Sequence, residues 1–245
     1  MCRRFAAALL AAGLCWRALA AAQVPPAAGL PLDDLLKRRD AAAAGELERR
    51  FAALTDKIQK QRIAVVLLSR RQADQPYFDY LANFARRAVT SGAPFPYTYD
   101  RQGKIVPGEY SAALLNWAAS EKAEPGAAAA KAFQEYPMDV YLLGLSGDQR
   151  AIPILLQGLE ATNFLVIYRS AWGLARLRHV PAVRPIIAAA DRQPEAGAQL
   201  IARTLVLFND PEAQAAADRL IPDKQLLAAL RSNTAQELNL NIGDP

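Results

Sequence analysis

A hydrophobic pattern written twice at a spacing of 31 residues limits this chain more than any other feature. Between Gly147 and Pro211, Ile152, Leu155, Leu156 and Leu159 fall at i, i+3, i+4 and i+7, and Val183, Ile186, Ile187 and Ala190 repeat the set. Such spacing puts four apolar side chains on one face of a helix. A second helix follows each, because Ile167, Ala171, Leu174 and Leu177 answer to Ala198, Ala202, Leu205 and Phe208 at the same offset. Each unit is therefore a pair of antiparallel helices. A pair this short cannot cover its own apolar faces, so neighbouring pairs must stack and share a core.

The runs GDQRAIPILLQGL (Gly147 to Leu159) and YRSAWGLARLRH (Tyr168 to His179) resemble the short bacterial HEAT-like repeats also found in phycobilin lyase subunits. Asp148, Ala151, Ile152, Pro153, Arg169, Ala171 and Leu174 carry the resemblance, over about 75 residues. Where such repeats close on Gly-Asp, this chain has Arg178-His179 and Asn209-Asp210, so its turns are less regular than its helices. The resemblance implies an all-α, right-handed α-solenoid of the HEAT or armadillo type. It also implies a curved rod that binds other proteins through the concave face of its second helices; lyase activity does not follow.

The rest of the chain fits this plan in part. Arg62, Ala64 and Leu67 align with Arg169, Ala171 and Leu174 at an offset of 107, which predicts an earlier, divergent repeat, and Tyr77 to Val89 reads as the helix after it. Helices should begin near Asp33, with Gly45 breaking an Ala-rich run before Glu46 to Leu54. Residues 91–110 hold three prolines and three glycines, a density that helices do not tolerate, and predict an irregular insertion with a hairpin turning at Asp100 to Gly103. Helical pattern resumes at Ser111 to Ala119 and at Ala127 to Leu145, with a break at Pro137. A third copy follows Asp210-Pro211; there Asp218 falls where strict register would bury it, which suits a polar terminal cap.

Residues 1–22 read as a secretory signal: Arg3 and Arg4, an apolar stretch from Phe5 to Leu14, and Ala20-Ala21-Ala22 before a cleavage point at Gln23. Gln23 to Leu32 then reads as an extended leader, and 33–245 as the repeat domain. The expected location is periplasmic or secreted. Leu14 occupies the place before Cys15 where lipidation needs a small residue, so no lipid anchor is expected. Both cysteines, Cys2 and Cys15, leave with the signal, and with them disulfides and thiol chemistry. Removing Arg3, Arg4 and Arg17 takes 29 basic residues to 26 against 24 acidic ones and the net charge from +5 to +2. No later stretch is long and apolar enough to span a membrane.

Two groups of residues are candidates for function. Leu165, Arg169, Trp172 and Arg176 form a stripe on the second helix of the central repeat, opposite its buried face. Shifted by one repeat, the stripe becomes Met138, Tyr141 and Leu145 on one side and Leu200, Arg203 and Leu207 on the other. Aromatic and Arg side chains anchor protein interfaces because they bury much area at little entropic cost. The competing reading packs Trp172 and Tyr141 between neighbouring repeats. The second group is the insertion, where Phe95, Tyr97, Tyr99 and Tyr110 either present aromatic surface or fold back to staple the loop to the repeats.

Enzymatic signals are weak. His179 is the single histidine, at a turn and without a partner at ligand spacing, so no metal or cofactor is expected. Ser170 sits in no nucleophile motif, and Asp79, Asp100, Glu109 and Asp139 show no spacing that would make an acid and base pair. The early basic residues, Lys37 to Arg87, are interleaved with Asp33, Asp34, Asp40, Glu46, Glu48 and Asp56, the pattern of a solvated helix face rather than a nucleic-acid site. The expectation is a non-enzymatic scaffold with a protein partner; the alternative is an enzyme or small-ligand binder using a pocket between the insertion and the repeats.

Overall fold

The computed structural model describes residues 27–70, 76–99 and 104–238. The expected signal, the first residues of the leader and the hairpin turn at Asp100 to Gly103 lie outside them. The described chain is helical apart from one hairpin. In order, the elements are α1 (Leu32–Lys37), α2 (Ala41–Ala53), α3 (Lys57–Ser69), α4 (Tyr77–Thr90), β1 (Tyr97–Tyr99), β2 (Ile105–Tyr110), α5 (Ala112–Ser120) and α6 (Pro125–Ala130). They continue with α7 (Tyr136–Leu145), α8 (Ile152–Gly158), α9 (Phe164–Arg176), α10 (Val183–Asp191), α11 (Glu195–Leu205), α12 (Pro211–Leu220), α13 (Lys224–Ser232) and α14 (Thr234–Leu238).

Side-chain caps set six of the helix starts. Asp40, Asp56, Ser111, Asn163, Asp210 and Asp223 each accept a backbone N–H of the first turn, satisfying donors that a helix leaves orphaned. Three local expectations give way. Ala27 is buried and the Leu30 N–H bonds its carbonyl, so this part of the leader is a turn rather than an extended strand. Gly45 does not end a helix: α2 runs through it, because the alanines around it are strong helix formers and Asp40 caps them. Pro137 does not break its helix either. Residues 131–135 widen into a π-turn, with the Tyr136 N–H bonding back to the Lys131 carbonyl, and the wider turn absorbs the proline that α7 carries in its first turn.

Helices pack as successive pairs: α2 with α3, α4 with α7, α8 with α9, and α10 with α11. Arg231 ties α13 to α12 through Asp218 and Gln214. Along one row, Phe51 of α2 meets Tyr77 and Tyr80 of α4, α4 packs on α8, Arg192 after α10 reaches Glu160 after α8, and α10 packs on α12. Along the other, α3, α7, α9 and α11 pack in turn. Contacts between equivalent helices keep a nearly constant offset, as in Glu160–Arg192, Tyr141–Trp172, Gly144–Gly173, Arg184–Glu212 and Asp191–Arg219. A constant difference in residue number means that the two helices run the same way; antiparallel neighbours would keep a constant sum.

The 31-residue offset also governs burial. Ala151, Ala182 and Ala213 are fully buried, as are Leu155, Ile186 and Ala217, and then Leu159, Ala190 and Ile221. The copy that contains Asp218 is thus in register. Leu156 and Ile187, its counterparts, are only half-buried, so the position lies at a rim where Asp218 can reach Arg231 and Lys224. The pairing of α4 with α7 shows what the insertion is. Everything from Ser91 to the π-turn is spliced between the two helices of one pair, and it extends beyond residue 110. The antiparallel hairpin, α5 and α6 enclose a small core of their own around Ala93, Leu114, Ala118 and Ala129.

Candidate functional site

The stripe foreseen on α9 lies across the row formed by α7, α9 and α11. Its centre is an alternation of guanidinium groups and rings. The Arg169 guanidinium sits 4.7 Å from the Tyr141 ring centroid and 5.2 Å from that of Tyr168. Tyr141 leans on Trp172 at 4.7 Å, and Arg176 covers Trp172 at 5.8 Å. The helical positions i, i+4, i+7 and i+11 place the α9 members in line, and the one-repeat offset brings Tyr141 alongside Trp172. Each contact of this kind contributes about 0.5–1 kcal/mol at an exposed site and more where water is excluded. Arg176 also donates from Nη1 to the Leu238 carbonyl at 2.9 Å, and burial lowers its pKa.

The α7 and α9 backbones can come this close because two glycines meet where they cross. A Cβ on Gly144 would lie 2.7 Å from the Gly173 Cα, nearer than side chains approach. Gly173 faces Gly144 and the Leu155 side chain in turn. The glycines are what let the rings of Tyr141 and Trp172 overlap.

Of the residues singled out in the sequence, Tyr141, Arg169 and Arg176 are half-buried and Arg203 is exposed, while Trp172 retains 3% exposure. Trp172 is therefore the floor of the stripe and not a contact residue, since Tyr141 and Arg176 cover its ring. Met138, at the α7 end, is exposed, and Leu165 and Leu200 are half-buried. Towards the C-terminus the row meets α13: Trp172, Arg203 and Leu207 line one wall of a cleft of about 160 Å³ and Leu230 and Asn233 the other. A larger cleft of about 560 Å³ adjoins it between Arg178, Phe208, Gln214 and Leu238.

The aromatic side chains of the insertion pack on their neighbours, and Phe95, Tyr97 and Tyr110 stay half-buried. Tyr97 stacks on Tyr110 at 6.0 Å and meets Phe133 edge-on at 5.6 Å, and Phe95 packs on Phe164 at 4.6 Å, so the aromatic side chains clamp the hairpin to the π-turn and to the start of α9. Tyr99 ends β1 opposite Ile105, and its side chain lies outside the described positions. Asn163 completes the clamp: buried, it caps α9 through Oδ1 and gives Nδ2 to the Pro94 and Ala132 carbonyls. No family model, curated protein or solved structure matches this chain.

The carboxylates weighed for acid and base chemistry are apart in role. Asp139 is buried and spends its oxygens on Lys57 Nζ at 2.9 Å and Gln61 Nε2 at 2.7 Å, pinning α7 to α3. Asp79 and Glu109 are exposed, and Asp100 lies outside the described residues. Many of the early basic residues are held locally, Arg38 by Asp40, Arg49 and Arg50 by Glu46, and Arg62 by Asp33. No described helix is long and apolar enough to cross a membrane. Sequence reasoning missed Tyr168, which precedes Arg169 and whose ring centroid lies 5.2 Å from its guanidinium, and Asn163. The Asn signal was available, since Asn is a preferred N-cap and Phe164 opens the helix.

Proposed function

We propose that the stacked pairs form a HEAT-like α-solenoid and that the protein is an exported, non-enzymatic scaffold binding another protein through the face of α7, α9 and α11. The observation that carries this is the Arg169, Tyr141, Trp172 and Arg176 alternation. Half-buried Tyr141, Arg169 and Arg176 lie over the buried Trp172 as a preorganised row of the side-chain types that anchor interfaces, held by glycine-mediated helix contact and flanked by exposed Met138 and Arg203. A repeat fold suits the task, because successive units extend one surface and no single point needs special chemistry. An export signal at residues 1–22 would direct the scaffold to the periplasm or beyond.

The experiment is affinity capture from the envelope of the producing cell, with the native chain and with Arg169→Glu plus Arg203→Glu, both checked for helicity. At least one protein retained by the native chain should fall at least tenfold in recovery with the double variant. Equal recovery of every partner would remove this face from the account.

A further inference from the structure

The arginines on and beside α8, α10 and α12 are neutralised differently from Arg169 and Arg203 on the other row, where Arg62 of α3 has Asp33 as its partner. Along the α8, α10 and α12 row, Arg150 pairs with Asp148, Arg184 with Glu212, Arg192 with Glu160, and Arg219 with Asp191, all within 3.1 Å. Three of these four reach one repeat along the chain, so the row carries its own counter-charges. On the other row, Arg169 is held by two tyrosine rings and Arg203 stands exposed on α11, and neither has a carboxylate within ion-pair distance among the described residues. The one acidic residue of α11 is Glu195, two turns from Arg203, and it accepts from Gln199. Asp139, on α7, is spent on Lys57 and Gln61.

From this asymmetry we infer that the α7–α9–α11 face binds an acidic peptide segment, whose carboxylates take Arg169 and Arg203 while its apolar side chains rest on Met138, Leu165 and Leu200. The inference rests on the scaffold reading above and gives its partner a chemistry. A guanidinium that meets rings through its face still has edge N–H groups that can pair bidentately with a carboxylate. The two arginines come from neighbouring helices, whose axes lie about 8–10 Å apart in packed proteins, a span that an extended peptide covers in about three residues. Apolar side chains beside each guanidinium favour a polypeptide with mixed acidic and apolar residues over a plain anionic surface.

The test is selection of a displayed random 12-residue peptide library on the full chain without its signal, at low and at moderate salt. Peptides enriched on the native protein should carry two or more Asp or Glu beside apolar residues. They should lose at least tenfold in binding to Arg203→Glu alone and to Arg169→Glu plus Arg203→Glu, keep their binding to Arg184→Glu, and weaken as salt rises. Enriched peptides that lack acidic residues yet depend on Arg169 and Arg203 would overturn the acidic chemistry and leave the binding face standing. Peptides bound equally by all variants would overturn both. Binding to phosphatidylglycerol vesicles that requires these arginines, with no peptide enriched, would assign the face to a membrane and also overturn the inference.

Discussion

At the scale of single residues, the turns between repeats show how far the sequence departs from its own rule. Gly147-Asp148, Arg178-His179 and Asn209-Asp210 occupy equivalent places, and Asp148 and Asp210 both cap the helix that follows. His179 stands in the same position and makes no side-chain cap. Arg178, like Gly147, adopts a left-handed backbone (φ +54 and +71), and its N–H and that of His179 close the end of α9 on the Ala175 and Leu174 carbonyls. Restoring Gly-Asp should therefore stabilise the fold. Arg178→Gly relieves about 1 kcal/mol of backbone strain and His179→Asp adds a cap of about 1 kcal/mol, together an increase in Tm of roughly 4–8 °C by thermal denaturation. An unchanged or lower Tm would show that the turn is not built as described. Gly45 offers a second case: it is exposed within α2 and a Cβ there meets nothing, so Gly45→Ala should stabilise by about 0.5–1 kcal/mol in urea titration. Reading Gly45 as a break mistook a propensity for a rule, because Ala41 to Ala44 and the Asp40 cap outweigh one glycine.

At the scale of elements, two of the three seams between neighbouring helices of the second row carry predictions. At the α7–α9 seam the glycine pair predicts that Gly144→Ala costs about 1–3 kcal/mol, since its methyl would press on the Gly173 backbone and part the helices. Near-neutral behaviour in a chemical denaturation curve would mean that they do not cross there. At the α3–α7 seam, burial raises the Asp139 carboxyl above its ordinary value of 3.8 while Gln61 and Lys57 act against it. A group with a raised folded pKa stabilises the fold fully below the unfolded pKa and loses that contribution as pH rises through the folded one. Asp139→Asn keeps an acceptor for Gln61 and cannot ionise. Its stability relative to the native chain should therefore grow as pH rises from about 4, and level off once Asp139 is ionised; a difference that shrinks over that window would contradict the sign. Helix faces at this scale were legible, because burial at 3.6-residue spacing writes itself into Leu155, Ile186 and their neighbours. The π-turn before Pro137 was not, since a wider turn leaves no compositional trace.

At the scale of the molecule, the sequence disclosed the repeat but not the splice. Periodicity names the buried side of α4 and of α7 without saying that they are partners across the insertion; that depends on Asn163 holding the Pro94 and Ala132 carbonyls and on Phe95 against Phe164. The site was half-legible for a related reason. Arg169, Trp172 and Arg176 could be placed on one stripe from their spacing, but whether Trp172 faces solvent depends on the neighbouring helix that brings Tyr141 over it. Equivalent helices of successive pairs lie side by side in the same direction. Nuclear Overhauser spectroscopy on a glycine-labelled sample reads this directly at Gly144 and Gly173, one repeat apart on α7 and α9. A strong cross-peak between their α-protons is the predicted result; its absence, with each glycine instead close to protons of unrelated helices, would contradict the stacking and the binding face built on it.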